Sequence, residues 1–291
     1  MKVFTSAASA LLPSLMFATV SALAGQPPSP EPVQIADLPS DSVIVFGELH
    51  GTKEIPAFFG EQVEALVSAG HTVHVGLEMA ASDQDELRAA MNLPEDERHS
   101  ALLQIEQWRT GKDGRNSLAM ARMLGRLGEL QSRFEDRLSL FAFDIPADWR
   151  GTSNDRDQFM AGVIAERRAQ LSDEDYLLVL SGNAHAFGVP GAPWDPDFRS
   201  MTTRVKENHR VVTLRNLQSG GEAWICTPEC GARSVSGVDR TYSRGIHLSP
   251  LDMDWADQPV YDGVFFVGQL SASEPLPVAV EMTENQSDGV Q

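Results

Sequence analysis

The fold is decided by residues 43–51, which read VIVFGELHG. Residues 43–46 form a short, β-branched and apolar run that is typical of a buried strand, and this run passes directly into glycine and charged residues. Similar short runs, each bounded by turn-forming or charged residues, recur at 73–77, 138–143, 176–180, 210–214 and 264–267. The sequence therefore predicts a series of buried strands.

The segments between these runs have helical spacing. Apolar residues repeat every three or four positions in 55–67, 118–130 and 159–164. Strands that alternate with helices form sheets that are mostly parallel. We therefore predict an α/β fold with a mostly parallel central sheet flanked by helices on both faces. Residues 82–109 predict a helical insertion after the second strand, a pair of helices placed where they would form a lid.

The two ends of the chain differ in composition from its body. Residues 1–24 carry a lysine near the start, an apolar run and Ala-Leu-Ala before Gly25, which predicts a signal peptide. Residues 25–34 are rich in proline and predict an extended leader, whereas residues 273–291 predict a flexible acidic tail. Residues 35–272 contain no repeat or second linker, and we predict that they form a single α/β hydrolase-like domain.

The predicted signal indicates an exported protein, periplasmic or secreted and soluble. Its apolar run is too short to span a bilayer, so no stable membrane insertion is expected after cleavage. The formal net charge is −18 over 291 residues. Such a chain repels phosphate backbones, so nucleic acid is not an expected partner, and a small-molecule or peptide substrate is.

The cysteines lie close together in the chain, at Cys226 and Cys230. In an oxidising compartment this spacing favours a local disulfide. The alternative is half of a structural zinc site, but such sites have four ligands and the chain has no second cysteine pair.

Titratable or polar residues follow four of the predicted strands. Ligands bind at the carboxyl ends of parallel strands, so these residues predict one site. Glu48 and His50, two positions apart on an extended chain, point the same way. Glu78 ends an apolar run and needs a partner or a function there. The residues, in chain order, are Glu48 and His50, Glu78, Asp144, and Asn183 with His185.

Gly47 and Gly182 each begin a Gly-x-x-His unit, and we expect these glycines to turn the chain sharply and present His50 and His185 to a crevice. For Asp144, a purely structural role is an alternative to a role in the site. Asp144 is as well suited to capping the next helix as to a site role.

Two arginines also have either a structural role or a role in the site. Arg115 and Arg156 lie at predicted helix starts, where they either serve the helix or reach the site to neutralise a buried glutamate or bind substrate.

Five motifs together resemble a known superfamily. They are GELHG, GLEM, DGRNS, RDQFM and GNAHA, in this order within 47–186, and YDGVFFVGQ at 261–269 resembles the closing strand. The set is similar to the superfamily that joins erythromycin esterases, ChaN-like haem-binding proteins and TIKI/TraB proteases.

The branches of this superfamily imply different functions. The esterase branch implies that Glu48, His50 and Glu78 activate water, with His185 in the second histidine motif. In the TIKI/TraB branch, paired Gly-x-x-His motifs accompany metal-dependent peptide cleavage. The ChaN-like branch implies binding of haem iron, although none of the chain's tyrosines falls in one of the five motifs.

We therefore predict a hydrolase that cleaves an ester or amide with a water molecule held between His50 and a carboxylate, while His185 or an arginine stabilises the oxyanion. A covalent nucleophile is disfavoured, because the chain has no Gly-x-Ser-x-Gly and no cysteine near a matched motif. Glu48, His50, Glu78 and His185 would equally suit a divalent metal that assists hydrolysis. The alternative function is non-catalytic binding of haem or an iron complex.

Overall fold

The computed structural model describes residues 31–134, 136–146, 148–239 and 242–281. The predicted signal peptide and most of the predicted leader lie outside these residues. The strands are β1 (Val43–Glu48), β2 (Val73–Ala80), β3 (Leu138–Asp144), β4 (Tyr176–Gly182), β5 (Val211–Leu217), β6 (Gly221–Cys226), β7 (Cys230–Val235), β8 (Gly245–His247) and β9 (Gly263–Phe266). The helices are α1 (Glu54–Ser68), α2 (Gln84–Met91), α3 (Glu95–Leu102), α4 (Glu106–Thr110), α5 (Leu118–Arg133), α6 (Ser153–Ala169) and α7 (Met201–Val205).

A seven-stranded sheet in the order β3-β2-β4-β1-β5-β9-β8 forms the centre of the fold. All neighbours pair in parallel except β8, which runs antiparallel to β9 at the edge. The predicted mostly parallel sheet is confirmed, and each predicted run is a strand, namely β1 to β5 and β9. The hairpin β6–β7 was not predicted, although residues 223–226 are apolar; Ala223 is the one buried residue of this hairpin.

Side chains of β1 alternate between two cores on opposite faces of the sheet. Ile44 and Phe46 belong to the core that includes α1, α5 and the insertion, whereas Val43 and Val45 belong to the core that includes α6 and α7. This two-sided burial explains why the strand is continuously apolar rather than alternating. Each fully buried side chain of this size contributes about 1.5–3 kcal/mol.

The helical insertion differs from the prediction in its number of helices. It contains three short helices, α2, α3 and α4, rather than a pair. Leu93 and Pro94 separate α2 from α3, because proline fixes its own backbone and disfavours a helical conformation in the residue before it. Leu87, Leu102 and Trp108 are buried in the same core as α5.

The packed part of the chain extends beyond the boundary predicted at 272. Ser273 accepts a hydrogen bond from the Ala119 amide at 3.0 Å, and the Leu118 amide donates to Glu274 at 3.0 Å. Leu276 is fully buried. The predicted tail therefore begins too early, because these polar residues satisfy the first backbone amides of α5, which composition does not reveal.

The other end of the described chain also touches the sheet. The Val33 amide donates to Ile246 of β8 at 2.8 Å, so the last residues of the predicted leader extend the sheet edge by a bridge. No helix among the described residues has both the length and the apolar character needed to cross a membrane.

Candidate active site

The carboxyl ends of β1, β2 and β4 open into one cleft of about 500 Å³. Because parallel strands end at the same edge of the sheet, residues far apart in the chain meet there. Seven of the eight residues predicted to bind or react line the cleft: Glu48, His50, Glu78, Arg115, Arg156, Asn183 and His185. The eighth, Asp144, is buried against Arg156.

The helical insertion does not form the predicted lid. No residue of 82–109 lines this cleft. A larger cavity of about 640 Å³ lies between α3 and α5, but it contains none of the predicted site residues. We place the candidate site at the strand ends, because buried titratable groups converge there.

Glu48 and His50 form the first carboxylate–histidine pair. His50 Nδ1 lies 3.0 Å from Glu48 Oε1. A carboxylate only accepts, so Nδ1 carries the proton and donates it, and Nε2 is left facing the cleft. Glu48 is 4% exposed, whereas the His50 side chain retains 27% exposure. The imidazole is therefore oriented by a buried acid and remains reachable from the cleft.

Asp157 and His185 form a second pair, and sequence reasoning missed its acid. His185 Nδ1 lies 2.9 and 3.0 Å from the two oxygens of Asp157, which is fully buried and also accepts from the Met201 amide at 2.6 Å. The spacing in the sequence could have indicated Asp157, because it shares the buried face of α6 with Met160 and Ala161. A carboxylate on a buried helix face needs a partner.

Glu78 lies between the two histidines. Its Oε2 is 3.7 Å from His50 Nε2, and its Oε1 is 3.7 Å from His185 Nε2. It accepts hydrogen bonds from Arg156 Nη2 at 2.7 Å and from the Gly182 amide at 2.6 Å.

The charge of Glu78 follows from these contacts. Burial alone would raise its pKa, but His185, His50 and the two arginines hold the pKa of Glu78 far below its ordinary value. Glu78 is thus an ionised carboxylate at neutral pH. It can accept hydrogen bonds but cannot donate a proton.

Both predicted arginines reach the site. Arg156 binds Asp144 through Nε at 2.8 Å and Nη2 at 2.6 Å, in the two-pronged geometry that a guanidinium favours. Arg115 binds Asp113 through Nε at 3.1 Å and Nη2 at 2.8 Å.

The arginine contacts show whether Asp144 caps the next helix or belongs to the site. Arg115 Nη1 lies 3.7 Å from Glu78 and 3.8 Å from Asp144, beyond hydrogen-bond distance. Asp144 does not cap α6, whose cap is Thr152. Asp144 instead neutralises Arg156, and Asp113 is a site residue that the sequence reasoning missed.

The glycines of the two Gly-x-x-His units do not turn the chain as predicted. Gly47 and Gly182 are strand residues in β1 and β4, and neither has a positive φ. A Cβ atom on Gly182 would lie 2.8 Å from His50 Nε2. The glycine therefore keeps space open in front of the imidazole.

Asn183 contributes to the floor of the cleft. Its Nδ2 donates to Asn216 at 2.7 Å, and its backbone amide donates to Glu48 at 3.0 Å. Asn183 thus links the ends of β1, β4 and β5.

The candidate site does not fit a metal ion. Across the described ranges, no group of three or more His, Cys, Asp or Glu side chains is arranged to hold one. Two guanidiniums lie beside Glu78, the carboxylate that the Nε2 atoms of both histidines approach. A cation at this carboxylate would meet positive charge at close range. Cys226 and Cys230 are bonded to each other, as predicted, and offer no thiolate.

Two of the tyrosines are engaged outside the cleft. The Tyr176 hydroxyl donates to Ala36 at 3.1 Å, and the Tyr261 hydroxyl donates to the Asn183 carbonyl at 2.9 Å. Burial also raises the pKa of Tyr261, which opposes a phenolate. These two phenols therefore do not offer a phenolate ligand to haem iron.

Comparisons with known proteins bear on the fold alone. No protein-family model matches the chain, and no curated protein matches it. A succinoglycan biosynthesis protein is similar in structure, with a TM-score of 0.54 and 10% identity, over 80% of this chain and 89% of that one. A mutant of the erythromycin esterase EreC in its open conformation has a TM-score of 0.53 and 11% identity, over 79% of this chain and 91% of that one.

The haem-binding protein ChaN of Campylobacter jejuni is also similar, with a TM-score of 0.39 and 14% identity, over 62% of this chain and 84% of that one. A similarity at this TM-score supports no conclusion about haem binding by this chain. The resemblance read from the motifs is thus confirmed at the level of the fold, through the esterase structure.

Proposed function

We propose that this protein hydrolyses an ester or amide bond with a water molecule activated by His50. One observation carries the proposal: the Nε2 atoms of His50 and His185 approach the two oxygens of Glu78, while each Nδ1 is held by a separate buried acid. This arrangement supplies a base, an acid and a fixed negative charge around one cleft.

The first step is attack by water. A water molecule between His50 Nε2 and Glu78 gives its proton to Nε2, and its oxygen forms a bond to the substrate carbonyl carbon. Glu48 keeps the proton on Nδ1, so that Nε2 is the basic nitrogen. The carbonyl oxygen becomes an oxyanion, and Arg115 Nη1, which makes no close ion pair, is placed to stabilise it.

The second step is loss of the leaving group. The carbon–oxygen or carbon–nitrogen bond breaks, and the departing atom takes a proton from His185 Nε2, while Asp157 stabilises the imidazolium before transfer. The products are a carboxylic acid and an alcohol or amine.

A direct attack by water agrees with the residues around the cleft. The described residues that line it include no serine, threonine or cysteine. A covalent intermediate on a side chain hydroxyl or thiol therefore has no nucleophile at this site.

We expect the hydrolysis rate to rise with pH up to about pH 8. Burial opposes a proton on His50, but Glu48 and Glu78 outweigh it and raise the pKa of His50 to about 8. Below that pH the base is an imidazolium and cannot accept a proton, so kcat/KM falls about tenfold per pH unit. The pH profile of kcat/KM measures this limb.

Glu48→Gln tests the origin of the limb. Glutamine still accepts from Nδ1 but removes a negative charge, so the limb moves to lower pH. An unmoved limb would show that a group other than His50 controls the rate.

We also expect activity to survive metal removal. The two guanidiniums beside Glu78 would repel a metal cation there, so extensive dialysis against a chelator should leave kcat/KM within about twofold of its starting value, less than 1 kcal/mol in the barrier. The measurement combines metal analysis of the protein with rates on panels of esters and peptides.

Other results of that screen would contradict the proposal in distinct ways. Loss of activity in chelator, restored by one metal, would replace bare acid–base hydrolysis by the metal-assisted form. No hydrolysis on either panel, together with a Soret band on addition of haem, would favour the binding function.

A further inference from the structure

The hairpin β6–β7 contributes a tryptophan to the cleft. Trp224 and Ile225, both partly exposed, line it beside the catalytic candidates. The Trp224 indole Nε1 donates to the Lys112 carbonyl at 2.9 Å, and its backbone amide donates to Gly51 at 2.8 Å. The disulfide between Cys226 and Cys230 closes the end of the hairpin. The indole is therefore held at both its ring and its backbone.

The same contacts tie the indole to the reacting groups. Gly51 follows His50 in the chain and has a φ of 76°, and a Cβ atom there would lie 2.4 Å from the Trp224 carbonyl. A Cβ atom on Gly114 would lie 2.1 Å from the Gly51 amide nitrogen. Glycines thus let the backbones next to His50, Arg115 and Trp224 pack directly on one another. The ring has a fixed place relative to the base and the oxyanion donor.

The charges in the cleft disfavour an anionic substituent on the substrate. Arg156 is held by Asp144 and Glu78, and Arg115 by Asp113. An anionic substituent would compete with the carboxylate partners of both guanidiniums and with the oxyanion for Arg115 Nη1, and would meet the carboxylates themselves. An uncharged apolar group, in contrast, removes exposed surface of Trp224 and Ile225 from water.

We propose that Trp224, with Ile225 beside it, binds an uncharged apolar group next to the scissile carbonyl. The substrate class is then a neutral ester or amide that carries an aromatic or aliphatic substituent, rather than a carboxylated or phosphorylated one. The substrate class rests on the proposed hydrolysis, whereas binding of the apolar group to this subsite does not.

The kinetic test compares small, apolar and anionic esters of similar reactivity: methyl acetate, benzyl acetate, methyl phenylacetate and monomethyl succinate. We expect one of the two aromatic esters to exceed methyl acetate in kcat/KM by at least about tenfold. Trp224→Ala should remove this advantage through a higher KM for the aromatic ester. Trp224→Phe should keep most of it, because the apolar face remains. Trp194→Ala, which removes an exposed tryptophan away from the cleft, is the matched control.

Two kinetic outcomes would overturn the proposal. One is an equal loss for all four esters in Trp224→Ala, which would mean that the indole only supports the structure. The other is a preference of the wild type for monomethyl succinate, which would assign the cleft to an anion.

A binding test separates this subsite from the hydrolysis. Benzyl methyl ketone has the carbonyl and the apolar group but no leaving group, and ligand-observed NMR measures its Kd. We expect similar binding to wild type and His50→Ala, and about tenfold weaker binding to Trp224→Ala. Such binding without hydrolysis of any ester would refute the proposed function and support the subsite. Hydrolysis with no effect of Trp224→Ala on either readout, or no binding to the wild type, would refute the subsite.

Discussion

His50→Ala is expected to lower kcat/KM for ester or amide hydrolysis by about 10²–10⁴-fold, the range that a positioned general base contributes. His50 is the imidazole whose tautomer is set by Glu48 and whose Nε2 faces both the cleft and Glu78. Its removal takes away the proton acceptor for the attacking water. The measurement is kcat/KM on the best ester of the panel, with circular dichroism to verify the fold.

His209→Ala is the control for this change. His209 is partly exposed in the turn after α7 and does not line the cleft, so its replacement should leave the rate within about twofold, less than 1 kcal/mol in the barrier. A folded His50→Ala protein with more than about a tenth of the wild-type rate, a change of under 1.4 kcal/mol in the barrier, would show that His50 is not the base.

Arg156→Ala is expected to lower the free energy of unfolding by about 3–5 kcal/mol, the cost of breaking a buried ion pair by removing one partner. Arg156 joins Glu78 and Asp144, which are 7% and 2% exposed. Without the guanidinium, buried Asp144 loses its close cationic partner, and buried Glu78 keeps, among side chains, only the two histidines and the more distant Arg115. Urea unfolding, followed by circular dichroism, measures the loss.

Two further variants show whether this loss comes from the buried pairing. Arg122→Ala removes an arginine that is 62% exposed and pairs with Glu95 at 3.4 Å, and should cost at most about 1 kcal/mol. Arg156→Lys keeps the charge but loses the two-pronged contact, and should lie between wild type and Arg156→Ala. A loss in Arg156→Ala no larger than that in Arg122→Ala would mean that Glu78 and Asp144 do not depend on this clamp.

The elements predicted best are those whose signal is local. The sequence runs that form β1 and β4 are continuously apolar because helices cover both faces of the sheet. Consecutive residues therefore show the burial directly. The strand ends then follow from topology, since parallel strands finish at one edge. Glu48, His50, Glu78 and His185 could therefore be grouped before any contact was known.

The elements that were missed depend on contacts between distant parts of the chain. Asp157 meets His185 only because α6 lies beside the residues that follow β4, and Trp224 reaches the cleft through bonds to Gly51 and Lys112. The hairpin that carries Trp224 is largely exposed, so its apolar residues 223–226 do not mark a buried strand of the central sheet. The glycines in β1 and β4 were recognised as special, but their reason is close packing rather than a turn.

The sequence by itself determined the parallel sheet and the set of strand-end residues, because burial and alternation of elements are recorded residue by residue. Only the tertiary structure decided how those residues are paired. Each imidazole has its own acid, Glu78 is shared between them, and Arg156 is divided between Glu78 and Asp144. Hydrogen bonds and ion pairs depend on distances of a few ångströms, and helix packing sets those distances rather than spacing along the chain.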